Sequence, residues 1–158
     1  MRNLAFIDTK IGKLAIEENG RAITDVYIVN EEIEKDDSIL LKETDLLKEA
    51  SKQIKEYFEG NRQNFDLLLE PKGTEFQQKV WNALKEIHYG ETKSYGEIAK
   101  MIGNEKAARA VGMANNKNPI MIINPCHRVI GANGKLVGYS EGVDIKETLL
   151  NLEKDNRN

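Results

Sequence analysis

The sequence predicts an α/β unit followed by a mostly helical unit that carries a helix-turn-helix. Two apolar-rich runs, 12–18 and 21–29, flank Asn19-Gly20, a strong turn pair for a β-hairpin. Thr74 with Gln77 and Ser94 with Glu97 are two capping boxes, the sequence mark of helix starts. Between these regions stands Pro71-Lys72-Gly73, a natural boundary, which divides the chain into domains 1–70 and 71–158.

Element by element, Leu4 and Phe6 suggest a strand ahead of the hairpin. The acidic run Glu31 to Asp37 reads as a solvated, mobile loop. Residues 44–59 place Leu47, Ala50, Ile54, Tyr57 and Phe58 on one helical stripe, with Gly60 as a stop. Phe65 to Leu69 reads as a short strand. The helix opened by Thr74 carries Phe76, Val80, Leu84 and Ile87 on one face, flanked by Trp81 as a core residue. The helix opened by Ser94 ends near Gly103, and Asn104 is placed to cap the next, through Lys106 to Val111. Asp144 with Glu147 opens a last helix with the stripe Ile145, Leu149 and Leu152, and Glu153 at its border.

The chain has 158 residues, 40% hydrophobic and 31% charged, which suits a soluble globular protein. No run reaches the length of a membrane span, and an acid at position 8 interrupts any signal-peptide core, so a cytoplasmic protein without membrane association is expected. One cysteine and two histidines are poor material for a zinc site, and neither metal nor cofactor is expected. The net charge of −3 hides a pattern: residues 1–70 hold ten basic side chains against sixteen acidic, residues 71–135 ten against five, and residues 136–158 three against five. A basic middle fits contact with a polyanion, and equally a solvated face. The small residues Ala107, Ala108, Ala110, Gly112 and Ala114 admit a close partner, either a helix or DNA.

The chemistry concentrates in Asn118 to Gly131, where the lone Cys126 stands between Pro125 and His127. Thiolate is the nucleophile, and a nearby histidine or arginine favours it. Neighbours on a strand point to opposite faces, so Cys126 and His127 cooperate only if the chain turns, which Pro125 allows.

Pro125-Cys126-His127-Arg128-Val129 resembles the active-site signature of the O6-alkylguanine-DNA alkyltransferases. Gly73 to Gln77, Val80-Trp81, Gly90 to Tyr95, Arg109 to Gly112, Asn118-Pro119, Gly138 to Ser140 and Leu149 to Glu153 fit that family in order. The first 70 residues more weakly resemble its ribonuclease H-like N-terminal domain, and the second unit its winged helix-turn-helix. The resemblance implies irreversible transfer of an alkyl group from O6-alkylguanine in double-stranded DNA to Cys126, once per chain, in a monomer. Activity on O4-alkylthymine is a further possibility of the family.

The same resemblance implies residue roles. His127 acts through water as base toward the thiol, Glu153 holds His127, and Tyr95 donates a proton to the departing guanine. Asn118 braces the site by joining the cysteine loop to the helix-turn-helix. Ser140 sits near O6, and backbone groups of Cys126 and Val129 read the base edge. Arg109 fills the gap left by the flipped nucleotide, with Ala107, Ala108 and Ala110 close to the minor groove. Arg128 is read as a phosphate contact or as a structural pair inside the fold. Glu141 departs from the family, which has a small residue beside the serine position. Three rival readings are a non-catalytic alkyltransferase-like binder, which would lack the cysteine; a transcription regulator, whose reading helix would need more polar side chains than these alanines; and a cysteine hydrolase, for which no oxyanion hole is evident.

Overall fold

The computed structural model describes residues 2–30, 39–41, 43–136 and 139–157. The acidic run 31–37 and Gly138 lie outside the described residues. The chain divides into two compact units, Met1–Lys72 and Gly73–Asn158.

In the first unit, β1 (Arg2–Thr9), β2 (Gly12–Glu18) and β3 (Ile23–Ile28) form an antiparallel meander, and the short β4 (Ile39–Leu41) adds to β1 in parallel. The sheet order is therefore β3-β2-β1-β4. Phe6 lies opposite Ala15 and Ile16 opposite Val26. The expected two-residue turn at Asn19-Gly20 is longer, because β3 begins only at Ile23. Asn19 closes the turn with its side chain, its Oδ1 accepting from the Arg21 and Ala22 amides at 3.0 and 2.9 Å. Helix α1 (Asp45–Phe58) is capped by Thr44, whose hydroxyl accepts the Leu47 amide at 3.1 Å. Its stripe of Leu47, Ala50, Ile54 and Tyr57 is buried, as the periodicity requires, together with Leu4, Leu14 and Ile16. The strand expected at 65–69 reduces to one bridge, Leu69 with Ile23, and Leu68 is exposed.

In the second unit, α2 (Glu75–Leu84) and α3 (Tyr95–Met101) both begin with complete capping boxes, Thr74 with Gln77 and Ser94 with Glu97. Gly73 sits where the Trp81 ring comes closest: a Cβ there would lie 2.3 Å from the ring, so only glycine fits. Helix α2 stops at Leu84, and Ile87 is buried beyond its end. Helix α4 (Ala108–Asn116) starts later than expected. Its N-cap is Ala107 with no side-chain bond, while the Asn104 carbonyl accepts the Ala107 amide in the preceding turn. Helix α5 (Val143–Asp155) likewise starts after Gly142, at φ 107°, with Asp144 inside its first turn rather than at the cap. Two tiny strands, β5 (Lys93–Ser94) and β6 (Val129–Ile130), pair in parallel. Val80, Trp81, Leu84, Ile98, Val111, Val129 and Cys126 share one core cluster.

Candidate active site

The β5–β6 pair decides which residues meet. β5 runs directly into Tyr95, the first residue of α3, and β6 directly follows the Cys126–Arg128 3₁₀ turn. Pairing Lys93 with Val129 and Ser94 with Ile130 brings the start of α3 beside the cysteine turn. The Tyr95 ring packs over Gly112 of α4, where an added Cβ would be 3.7 Å away. That contact uses the small-residue surface read from the sequence.

The segment leading into the cysteine is tightly bent. Ile122 has φ 71°, the left-handed region that β-branched side chains disfavour. Asn118 holds this bend: its Nδ2 donates to the Ile120 and Asn124 carbonyls at 3.1 and 2.9 Å, and its Oδ1 accepts the Ile120 amide at 3.1 Å. These bonds close the loop on itself. Asn118 also hydrogen-bonds the Cys126 side chain, and Asn115 of α4 adds a tie from the helix-turn-helix, its Nδ2 donating to the Cys126 carbonyl at 3.2 Å. Trp81 adds a second anchor on α4, donating to the Ala114 carbonyl at 2.9 Å.

Cys126 and His127 are both buried within the 3₁₀ turn, which supplies the change of direction that a strand would not. His127 Nε2 lies 2.6 Å from Glu153 Oε2, and Nδ1 is buried without a partner among the described residues. Burial raises the Glu153 pKa, but His127 and Arg128 outweigh it and hold the carboxyl well below the usual carboxylate range. Burial lowers the His127 pKa against the pull of Glu153. The consistent protonation is a neutral imidazole that donates from Nε2 to the carboxylate, which leaves Nδ1 as a free acceptor. Such a ring is set up as a base.

Of the two readings of Arg128, the structural pair inside the fold is the one the structure shows, and the phosphate contact is corrected. Arg128 is 6% exposed, donates from Nε to Glu153 Oε1 at 2.7 Å and from Nη2 to Oε2 at 3.0 Å, and gives Nη1 to the Ile87 carbonyl at 2.7 Å. A guanidinium bound this way inside the fold is not offered to a phosphate. Glu153, placed at a border by the sequence, is wholly buried and also accepts the Gly90 amide at 3.2 Å.

Burial pushes the Cys126 thiol up to about 11. Asn118, Tyr139 and Lys146 pull it down, and the Glu141 charge pushes it up. The resting sulfur is therefore a thiol whose proton has to be drawn off. Tyr95 is half-buried, and its own pKa is raised by burial and by the nearness of Cys126, so it stays a proton donor.

Lys146 is a buried neighbour of the site that the sequence reading missed. It is fully buried on α5, donates Nζ to the Val129 carbonyl, and lies 6.0 Å from the Tyr95 ring centroid and 5.7 Å from that of Tyr139. Burial lowers its pKa to about 8. The signal was present: Lys146, Leu149 and Glu153 recur at helical spacing on one face. Both backbone polar groups of Val129 are engaged, its amide to the Cys126 carbonyl and its carbonyl to Lys146. Ser140 is exposed and gives its hydroxyl to Glu141 at 2.5 Å. On α4, Arg109 and Ala110 are exposed and Ala107 and Ala108 half-buried, and Arg109 makes no ion pair among the described residues. Also among the described residues, no cluster of side chains is arranged to hold a metal ion, and no helix is long and apolar enough to cross a membrane.

Residues 75–155 match the family model of the 6-O-methylguanine DNA methyltransferase DNA binding domain, and residues 4–71 that of its ribonuclease-like domain. A methylated-DNA–protein-cysteine methyltransferase of Methanosarcina acetivorans is 57% identical over 151 residues, covering 94% of this chain and 96% of the relative. The crystal structure of the Mycobacterium tuberculosis O6-methylguanine methyltransferase has a TM-score of 0.87 at 44% identity, covering 100% of this chain and 96% of that one. A structure of Mycobacterium tuberculosis OGT in complex with DNA has a TM-score of 0.86 at 45% identity, over 98% and 94%.

Proposed function

The chain belongs to the 6-O-methylguanine DNA methyltransferase family, and from that premise we propose that it repairs O6-alkylguanine in double-stranded DNA by moving the alkyl group onto Cys126. The observation that carries this reading is the buried His127–Glu153 pair beside the buried Cys126 in one 3₁₀ turn, with the imidazole Nδ1 unpartnered among the described residues. His127 draws off the thiol proton through a water molecule, and Glu153 stabilises the imidazolium that forms. The sulfur attacks the alkyl carbon, the carbon–O6 bond breaks with its electron pair going to guanine, and Tyr95 delivers a proton to the guanine ring. A thioether is a poor leaving group and the chain has no second cysteine, so each molecule acts once.

A base inside a duplex cannot reach a buried sulfur, so the nucleotide is flipped out. Arg109, exposed and without an ion pair among the described residues near the start of α4, fills the space it leaves, and Ala107, Ala108 and Ala110 allow the groove to come close. One-to-one consumption needs no second subunit, and the protein works as a monomer.

Intact-mass analysis after mixing with duplex DNA carrying O6-methylguanine tests the proposal. The expected result is one methyl per chain, located on Cys126, with no further product under excess substrate. More product than protein would show turnover and sink the irreversible-acceptor reading.

A further inference from the structure

Helix α4 turns one face to solvent, and the make-up of that face is specific. Val111, Ala114 and Asn115 are buried, which leaves Arg109, Ala110, Met113 and Asn116 exposed along the other side. At 3.6 residues per turn these four fall within one arc of about 120°, with Met113 at its centre. Lys106 and Lys117 are exposed at the two ends of the helix, and no acidic residue occurs between them in the chain. Lys106, Arg109 and Lys117 make no ion pair among the described residues.

Met113 is 67% exposed, more than Leu68, Met101 or Val143, the other large apolar side chains open to solvent among the described residues. A single apolar side chain in water is ordinary on a protein surface. One at the centre of an acid-free cationic face, one helical turn from Arg109, is placed for a partner that is charged outside and apolar within. Stacked bases inside a phosphate backbone have that character. Four residues of helix advance about 6 Å, which is less than two base-pair rises of about 3.4 Å each.

We propose that Met113 is a second insert beside Arg109, an apolar wedge that enters the minor groove and holds open a base step within two pairs of the flipped nucleotide. The wedge rests on the reading above, in which α4 enters the groove of a duplex carrying O6-alkylguanine. When a nucleotide leaves the stack, apolar base faces nearby lose their cover. An unbranched thioether chain adapts to such faces and strands no polar group in doing so. Moving the exposed Met113 side chain out of water gives the insertion a driving force of its own.

The test uses the full chain carrying Cys126→Ala, so that binding is not followed by transfer, and a duplex with O6-methylguanine and 2-aminopurine two base pairs away. Binding should raise the 2-aminopurine fluorescence as its step unstacks. Adding Met113→Ala should abolish most of that rise and weaken the Kd on the order of tenfold. Met113→Gln, of similar length but polar, should behave like Met113→Ala, and Met113→Leu should restore both readouts. The melting midpoint should stay unchanged, since the side chain packs against nothing that a partial exposure of 67% would bury, and so should the salt dependence of binding, since no cation is lost. A Kd within about twofold of the parent's, a fluorescence rise that survives Met113→Ala, or a Met113→Gln variant as good as the parent would overturn the wedge while methyl transfer by the unsubstituted chain keeps the repair reading. Absence of methyl transfer by that chain would overturn the repair reading and the wedge with it.

Discussion

Replacing Glu153 by glutamine keeps the shape of the side chain but removes its charge and turns one acceptor edge into a donor. Oε2 accepts from His127 Nε2 and Arg128 Nη2, and Oε1 accepts from Arg128 Nε and the Gly90 amide. Whichever way the amide is turned, its NH2 faces two donors, one of them on a buried guanidinium. Each buried donor left unpaired costs about 1–3 kcal/mol, and breaking a buried ion pair from one side costs about 3–5 kcal/mol. Glu153→Gln should therefore lose about 3–5 kcal/mol in urea unfolding. The double variant with Arg128→Met should recover part of that loss, since it removes the stranded charge. Single-turnover repair, measured where the variant is still folded, should slow by at least about tenfold as His127 loses its orienting anion. A stability within about 1 kcal/mol of the parent, or an unchanged rate, would refute the claim that this carboxylate holds the relay together.

Acid should act first through His127, whose folded pKa is depressed by burial. The unfolded chain then takes up the proton more readily, so stability is complete above about pH 6.5 and falls below it. The transfer rate should follow the same direction, flat at neutral pH and falling in acid as the base becomes protonated. A melting temperature and rate unchanged from pH 7 to pH 5 would contradict this. Lys146→Met should leave the buried Val129 carbonyl without its ammonium donor, costing about 1–3 kcal/mol by denaturant titration. It should also slow transfer by removing a cation that lowers the Cys126 pKa. A variant as stable and as fast as the parent would make Lys146 a bystander.

Local rules made much of the fold legible. The capping boxes at Thr74 and Ser94 are contacts between residues three apart, and both form. Where a helix starts without a side-chain cap, as at Ala107 and Gly142, the same rules point to the wrong residue, because turn geometry rather than a hydroxyl sets the boundary. The parallel β5–β6 pair was out of reach, since two residues carry no periodicity and their pairing joins positions 93 and 129. At the site, Cys126 and His127 announce themselves by adjacency. Lys146 was missed, and Arg128 kept a phosphate-contact reading beside the structural one, for one shared reason: a long cationic side chain reads as surface, yet each is buried here by a partner far along the chain, Glu153 or the Val129 carbonyl.

Arg109 offers a separation of recognition from chemistry. Taking a paired base out of the stack costs a few kcal/mol, so a residue that fills the gap matters only where a stack exists. Arg109→Ala should therefore lose much of its rate on duplex DNA while keeping most of it on free O6-benzylguanine, which brings no strand with it. A loss of about 2 kcal/mol corresponds to roughly thirtyfold slower repair at limiting protein. A structural role would require a partner inside the fold. Arg109 is exposed and makes no ion pair among the described residues, so the melting curve should move by no more than about 0.5 kcal/mol equivalent. A variant that is destabilised and slowed equally on both substrates would return Arg109 to the scaffold. A variant that is stable but equally slow on both would mean that the arginine acts on the pocket rather than on the stack.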